Sequence, residues 1–371
     1  MRTLVWTLPI RTFHWMLVSY VLIMLITSEE ESLLTWHAAF GYGIALLLLF
    51  RLVWGVVGPR YERFRAWPLS LAALKAFLKE IRHPQTRYPG HNPAASWVML
   101  GILTILLLTV ISGVVTYGTQ EGRGVFAFLN QTFFREMELF EEIHESLSSL
   151  LWILVFLHLG GVASDRMLHP EVGTLGSIVT GYKNIEAFEA KLTGWQKGIA
   201  ALFLSAAVLL PPYLIAAGDT PLTQSRYSAV DYERIHPLFV QECASCHTLY
   251  PPFLLPKASW KKMMATLEDH FGDDASLDGA DRADIENYLL KNSAESSSKE
   301  AAFYILHSLD PKKDIIAISQ TPYWKKRHKD IDSNDFNTTA VRSKANCKAC
   351  HGKFESGLIE DNLIKIPPKG V

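Results

Sequence analysis

Five long apolar runs in the first 217 residues restrict what this chain can fold into more than any other feature. They lie at about residues 13–27, 36–57, 97–117, 146–163 and 198–217. A hydrocarbon core about 30 Å thick needs about 20 apolar residues as helix, and the second, third and fifth runs meet that length directly. Basic linkers between the runs argue against five buried helices of a large soluble core. The sequence therefore predicts five transmembrane helices, which excludes a simple cytosolic globular enzyme.

The remainder of the chain has a different composition. Hydrophobic residues make up 49% of the sequence, yet the mean hydropathy is only +0.12, because a polar region after residue 217 offsets the apolar one. The net charge is −1, so the basic excess of a nucleic-acid-binding protein is missing. We predict a membrane domain over 1–195, a fifth transmembrane helix and linker over 196–225, and a polar, mostly α-helical and loop-rich domain over 226–371.

The distribution of Lys and Arg predicts the orientation of the helices. Thirteen of these residues lie in the N-terminus and in the 58–96 and 164–197 linkers, whereas the opposite short loops hold only Arg123 and Arg135. Positively charged loops remain on the cytoplasmic side of a membrane. The N-terminus is therefore expected in the cytoplasm, and five spans place the polar domain in the periplasm of a bacterial inner membrane.

Two details refine this topology. The first run could instead be a cleaved signal peptide, because Arg2 and Arg11 resemble its charged start. However, no small-residue cleavage site follows Ile26, and the chain continues into Glu29 to Glu31. The first run is therefore expected to remain as a membrane anchor. Pro211 and Pro212 near the end of the fifth run are expected to kink or end that helix.

All four cysteines lie in two Cys-x-x-Cys-His pentads of the polar domain. These are Cys243-Ala-Ser-Cys246-His247 and Cys347-Lys-Ala-Cys350-His351. The spacing is typical of covalent haem attachment, in which both thiols bind the haem and the adjacent imidazole reaches the iron. A zinc site is the competing interpretation, but the pentads are far apart in sequence and each carries its own histidine. Two haems c are therefore predicted.

Each of these irons either binds a second axial ligand from the protein or keeps an open site. The candidates within the polar domain are His236, His270, His307, His328, Met263 and Met264. We predict a helix that begins at the N-cap Ser259 and ends at His270, in which the methionines belong to the core. His328 ends the short run Trp324–His328.

Four histidines lie in or beside the apolar runs, where ionisable residues usually mark function. His14 and His158 are expected near the cytoplasmic side, and we call them the inner pair. His37 and His144 are expected near the periplasmic side, as the outer pair. His144 and His158 lie about four helical turns apart on nearly one face. The sequence therefore predicts two haems b stacked across the bilayer, with Arg51 at the depth of the inner pair, either neutralising a haem propionate or extending to the interface.

The membrane region resembles the bacterial di-haem cytochrome b561 family, which includes the cytochrome b subunits of hydrogenases. The matching pieces are Val5-Trp6-x-x-Pro9-x-Arg11-x-x-His14-Trp15, Trp36-His37, Phe50-Arg51-Leu52-x-Trp54-Gly55-x-x-Gly58 and the pair His144/His158. The resemblance covers about residues 1–190. It implies that the four matching histidines bind two haems b and that the protein exchanges electrons with quinone.

The polar region resembles the di-haem cytochrome c family typified by the partner of the sphaeroides haem protein. The matching pieces are Cys243-x-x-Cys246-His247-x-x-Tyr250-Pro251-Pro252, Ser259-Trp260, His270-Phe271-Gly272, Pro322-Tyr323-Trp324, His328 and Asn346-Cys347-x-x-Cys350-His351. The resemblance implies His270 and His328 as the distal ligands, without assigning either to one haem. Ala317 departs from the family, where an arginine is expected. The other histidines are expected at the surface, namely His83, His91, His169, His236 and His307.

Together these patterns predict an all-α membrane electron carrier. Electrons would pass from quinol through two haems b to two haems c, and then to a small periplasmic c-type cytochrome like the sphaeroides haem protein. Such a chain could have quinol:cytochrome c oxidoreductase activity. The alternatives are an enzyme that acts on a small periplasmic substrate such as superoxide, a membrane subunit of a hydrogenase-like complex, and a haem sensor. The sequence leaves open the direction of flow, the quinone site and the oligomeric state; a homodimer is compatible with it.

Overall fold

The computed structural model describes residues 2–28, 30–81, 88–135, 139–310 and 313–367, and these are predominantly helical. Glu29, Arg82, His83 and Arg87, which entered the sequence predictions, lie outside the described residues. The described chain divides into two compact units. One comprises residues 1–119, 123–126 and 133–224, and the other comprises 120–122, 127–132 and 225–371. The three-part division 1–195, 196–225 and 226–371 stays a prediction.

The first unit contains seven α-helices within the described residues. They are α1 (Leu8–Thr27), α2 (Leu34–Val57), α3 (Leu71–Lys79), α4 (Pro93–Thr119), α5 (Leu139–Leu168), α6 (Thr174–Thr180) and α7 (Gly194–Ala217). Five of them, α1, α2, α4, α5 and α7, are long and apolar enough to cross a membrane. The fold class predicted from the apolar runs is confirmed.

α2 lies at the centre of this unit and packs against α1, α4 and α7. Its large side chains Leu47, Phe50 and Trp54 are fully buried. α5 packs against α4 and is much less covered by protein: among the described residues of this helix, Leu151 alone is buried.

α7 runs through both prolines to Ala217, so the helix does not end at them, and the expected kink stays a prediction. A capping box of Thr193 and Gln196 begins this helix. Pro211 has no N–H to bond the carbonyl of Ala207, four residues earlier. The hydroxyl of Tyr20 on α1 donates to that carbonyl at 2.8 Å, so the acceptor is satisfied and the helix continues.

Two short contacts tie the N-terminus to the linkers on the predicted cytoplasmic side. Strand β1 (Thr3–Leu4) pairs antiparallel with β2 (Tyr182–Lys183). Glu62, which is fully buried, accepts hydrogen bonds from the Thr7 N–H at 2.7 Å and from the Trp54 indole at 2.5 Å. Burial raises the pKa of this carboxyl, and its hydrogen bonds oppose that effect.

The second unit consists of short helices joined by loops. Its described helices are α8 (Tyr232–Ile235), α9 (Pro237–Cys243), α10 (Lys257–Ala265), α11 (Gly279–Lys291), α12 (Glu300–Ser308) and α13 (Pro322–Arg327). One core cluster lies around Phe239, Leu255 and Ile285, and another around Phe253 and Ile305.

The helix predicted to start at Ser259 was placed wrongly. α10 begins at Lys257 and ends at Ala265, and a separate 3₁₀ turn precedes His270. The Ser259 hydroxyl donates to the Ile315 carbonyl at 2.6 Å and does not cap the helix. Because the Ser259 hydroxyl has this distant partner, Ser259 can lie within the first turn of α10. The prediction that Ser259 is the N-cap failed for this reason.

Candidate haem sites

In the outer pair, the imidazole of His37 on α2 faces the imidazole of His144 on α5. The ring centres of His37 and His144 lie 6.2 Å apart, with the planes 78° from parallel. Nδ1 of His37 lies 3.1 Å from the Thr27 hydroxyl of α1, and Nδ1 of His144 lies 3.0 Å from the Thr109 carbonyl of α4. An imidazole held through Nδ1 offers Nε2 to a metal.

A glycine makes room for the His144 ring. A Cβ added at Gly113 of α4 would lie 2.8 Å from Cε1 of His144, closer than side-chain carbons approach. The absence of a side chain at this position therefore lets the imidazole lie flat against α4.

The inner pair joins α1 and α5. His14 and His158 lie close enough to interact electrostatically, and Nδ1 of His14 is buried without a hydrogen-bond partner among the described residues. Arg51, expected at this depth, is only 3% exposed. Its guanidinium carbon lies 4.5 Å from the centre of the Phe64 ring, so the side chain stays inside the protein and does not extend into water.

The second unit brings one distal histidine to each pentad. The ring centres of His247 and His270 are 6.0 Å apart with the planes 25° from parallel, and those of His328 and His351 are 6.2 Å apart. Nδ1 of His247 lies 2.7 Å from the Thr248 carbonyl, and Nδ1 of His328 lies 2.9 Å from the Trp324 carbonyl. The sequence leaves open which histidine accompanies which pentad. In the structure His270 lies beside the first pentad and His328 beside the second.

These spacings fit an iron held between two imidazoles. Metal–imidazole bonds of about 2 Å place two opposed nitrogens about 4 Å apart and their ring centres about 6 Å apart. Burial and the neighbouring His328 lower the pKa of His351 to about 4, so this ring is neutral at pH 7, which is the form that binds a metal. The residues of all three measured ring pairs therefore suit bis-histidine haem.

The thiols fit haem attachment better than zinc. All four cysteines are free, and burial raises the pKa of Cys243 to about 12 and that of Cys347 to about 11. A structural zinc site needs four protein ligands brought together around one ion. Within the described parts of the chain, no group of three or more metal-binding side chains comes together outside these pairs.

Tyr250 is a site residue that reasoning from the residues alone did not single out. Its ring lies 5.2 Å from the ring of His247, and its hydroxyl donates to the Ala345 carbonyl at 2.5 Å, two residues before Cys347. Tyr250 therefore touches the surroundings of both pentads. Its position three residues after His247 was the available signal.

Among the described histidines expected at the surface, His91, His169 and His236 are partly buried, whereas His307 is exposed as expected. His91 packs between the rings of Trp6 and Trp67, whose centres lie 4.7 and 5.5 Å from its own. The side chains of His169 and His236 are only 11% and 14% exposed, the first beside Asp165 and the second beside Asp284. The neighbours of His91 and of His236 come from distant segments, so the sequence does not reveal them, whereas Asp165 lies only four residues before His169.

A cavity of about 650 Å³ lies beside His91 on the predicted cytoplasmic side. Its lining includes Arg60, Arg63, Arg65, Tyr61 and Tyr88. The cavity is therefore strongly cationic and rich in hydrogen-bond donors.

Two known families match this chain, one over the region that contains the membrane histidine pairs and the other over the region that contains the two pentads. Residues 5–181 match the family described as prokaryotic cytochrome b561, and residues 239–358 match the family described as dihaem cytochrome c. The probable Ni/Fe-hydrogenase 1 B-type cytochrome subunit of Escherichia coli K12 is 25% identical over 146 residues, which cover 32% of this chain and 62% of that protein. The chain thus spans about three-fifths of the length of this curated relative.

Two solved structures are similar in sequence to part of this chain. The diheme cytochrome c from Rhodobacter sphaeroides is 40% identical and covers 35% of this chain and 99% of its own, with a TM-score of 0.31. A diheme cytochrome type c from Shewanella baltica OS155 is 30% identical and covers 35% of this chain and 91% of its own, with a TM-score of 0.29. Five apolar helices, paired histidines and two haem-attachment pentads therefore indicate an integral membrane electron-transfer protein that matches the prokaryotic cytochrome b561 family over residues 5–181 and the dihaem cytochrome c family over residues 239–358.

Proposed function

We propose that this chain carries electrons across the inner membrane of a bacterium, from the quinol pool to a small c-type cytochrome in the periplasm. The observation that carries the proposal is that eight histidines form four close pairs, the number needed to supply both axial ligands to four irons. Full axial coordination leaves no open position for O2 or peroxide, and it favours electron transfer over ligand chemistry.

The ligand assignment follows the pairs. His14 and His158 hold one haem b, and His37 and His144 hold the other. Cys243, Cys246, His247 and His270 hold one haem c, and Cys347, Cys350, His351 and His328 hold the second. When bound, the haems supply one-electron redox centres, and the protein sets their positions and potentials.

The proposed orientation places the N-terminus in the cytoplasm and the second unit in the periplasm. The concentration of Lys and Arg in the 58–96 and 164–197 linkers supports it. An exported domain is also where covalent haem attachment at the two pentads is expected.

We place the quinol headgroup in the cavity beside His91. His91 lines this cavity and interacts electrostatically with His158 of the inner pair, so the cavity adjoins the inner haem site. Arginine and tyrosine side chains in the lining can donate hydrogen bonds to the quinone oxygens. Arg65→Ala is expected to raise the quinol concentration needed for half-maximal rate without changing the haem content.

Anaerobic quinol oxidation by the purified protein tests the function. Added quinol should reduce the haems b first and the haems c next, and a small monohaem cytochrome c should then reoxidise them. His144→Ala should leave the inner haem b reducible while reduction of the haems c becomes slow. Failure of quinol to reduce any haem, or equally fast reduction of the haems c in His144→Ala, would contradict the proposed route.

A second candidate is a cytochrome b subunit of a hydrogenase-like complex. The match to the hydrogenase cytochrome subunit of Escherichia coli favours it. Affinity purification from native membranes distinguishes the two, because this candidate requires hydrogenase subunits to accompany the chain in fixed ratio.

A further inference from the structure

Three buried nitrogen donors without partners lie near the inner pair. Nη1 of Arg51, Nε1 of Trp67 and Nδ1 of His91 are buried, and none has a hydrogen-bond partner among the described residues. Arg51 is 3% exposed and Trp67 is 6% exposed. Leaving a buried donor unsatisfied costs about 1–3 kcal/mol, and more where the group is charged. Three such groups in one place need a common explanation.

The three side chains form one cluster. The guanidinium carbon of Arg51 lies 5.2 Å from the centre of the Trp67 ring, and the His91 ring lies 5.5 Å from that of Trp67 in an edge arrangement. His91 also interacts electrostatically with both Arg51 and His158. The cluster therefore lies within electrostatic range of His158 of the inner pair.

Nearby acidic groups do not neutralise the cluster. Glu62 attracts Arg51 electrostatically, but its oxygens accept from Thr7 and Trp54 and make no ion pair with Arg51 within the described residues. Lys183, also buried, adds a further positive charge near His91, and Asp165 interacts with Lys183. A buried cationic group without a direct partner is costly, so an anion is the expected complement.

We propose that Trp67 and His91, together with Arg51, donate hydrogen bonds to the propionate carboxylates of the haem held between His14 and His158. This inference rests on the haem b assignment proposed above. The ligand is a carboxylate pair fixed to the porphyrin, which would satisfy all three donors at once. Hydrogen bonds from charged or polar donors to a carboxylate are among the strong ones in proteins.

The proposed contacts should affect the reduction potential of the inner haem b. Propionate charge near the iron stabilises the ferric state, and donors that neutralise this charge raise the reduction potential. Removal of one donor should therefore lower the potential of the inner haem b and leave the other three haems unchanged.

Trp67→Phe and His91→Phe test the proposal, because each retains an aromatic ring and removes the N–H. Trp195→Phe and His169→Phe are matched controls, one an exposed tryptophan and the other a covered histidine beside Asp165. The measurement is a redox titration of the full chain in detergent, with haems b and c counted in the same sample.

We expect one b-type wave to move to lower potential in both variants, and it should be the wave that His158→Ala lacks. A shift of about 59 mV corresponds to a tenfold change in the ratio of oxidised to reduced haem. Two extractable haems b with neither wave moved in Trp67→Phe and His91→Phe would overturn the propionate contacts alone. Fewer than two haems b in the wild type would overturn the ligand assignment itself.

Discussion

The two units hold their candidate haems by different means. In the membrane unit the proposed ligands lie on three helices, α1, α2 and α5, and no thioether bond would attach the cofactor to the chain. In the second unit each pentad concentrates two thiols and one imidazole within five residues. Retention of a haem b should therefore depend on the folded helix bundle, whereas attachment of a haem c depends first on the five residues of the pentad.

The contacts that orient the imidazoles show the same contrast. In the outer pair, His37 on α2 contacts Thr27 of α1, and His144 on α5 contacts Thr109 of α4. In the second unit, His247 contacts the carbonyl of the next residue, and His328 contacts the carbonyl of Trp324, four residues earlier. Tertiary packing orients the first set, and local backbone geometry orients the second.

The largest expected effect comes from removing a membrane ligand. His158→Ala should lower the extractable haem b by roughly half and leave the covalent haem unchanged, because the inner haem has no thioether bond and would keep only one of its two axial ligands. Alkaline pyridine spectra of extracted and unextracted protein measure both quantities. His169→Ala is the control, and a full complement of haem b in His158→Ala would refute the inner pair.

The equivalent change in the second unit should have a smaller effect. His270→Ala removes the distal imidazole near His247, but the thioether bonds and His247 remain. The covalent haem content should therefore stay constant, while one ferrous haem c becomes high-spin and binds CO. A fully low-spin spectrum that does not change when CO is added would show that another residue is the distal ligand. His307→Ala serves as the control.

A still smaller change tests the packing behind the outer pair. In Gly113→Ala the new Cβ would lie 2.8 Å from the His144 ring, so the ring must move. Displacement of an oriented ligand typically weakens metal binding on the order of 10–100-fold, and we expect partial loss of the outer haem b on dilution. Gly101→Ala is the matched control on the same helix, because its Cβ would meet Leu154 at an ordinary 3.5 Å. Equal haem retention in both variants would count against the packing argument.

The smallest effect concerns Ser259. Ser259→Ala should cost about 1 kcal/mol by removing the hydrogen bond to the Ile315 carbonyl. Hydrogen exchange should become faster around residues 313–318, with no change at the start of α10. Faster exchange at the start of α10 alone would restore the capping interpretation. Ser308→Ala, whose hydroxyl donates to the Ile305 carbonyl of its own helix, is the control.

Much of the architecture could be predicted because its signals are local or periodic. Hydropathy alone predicts helices long enough to span a bilayer, and the helical rise of 1.5 Å per residue places His144 and His158 roughly 21 Å apart along α5. The pentads carry their chemistry in five consecutive residues. These features need no knowledge of distant contacts.

The remaining features depend on residues that are far apart in sequence. Nothing near Pro211 indicates that Tyr20 satisfies the carbonyl of Ala207. The burial of His91 depends on Trp6 and Trp67, and the pairing of His270 with His247 depends on the path of the loops between them. Such contacts become visible only once the chain has folded.

The sparse packing of α5 has a consequence for the life of the protein in the cell. α5 buries little of its own surface in protein, so cofactor and lipid must supply much of its cohesion. When haem supply falls, the α4–α5 hairpin should loosen and become a substrate for membrane-bound proteases. The amount of this protein in the membrane would then follow haem biosynthesis even at constant transcription.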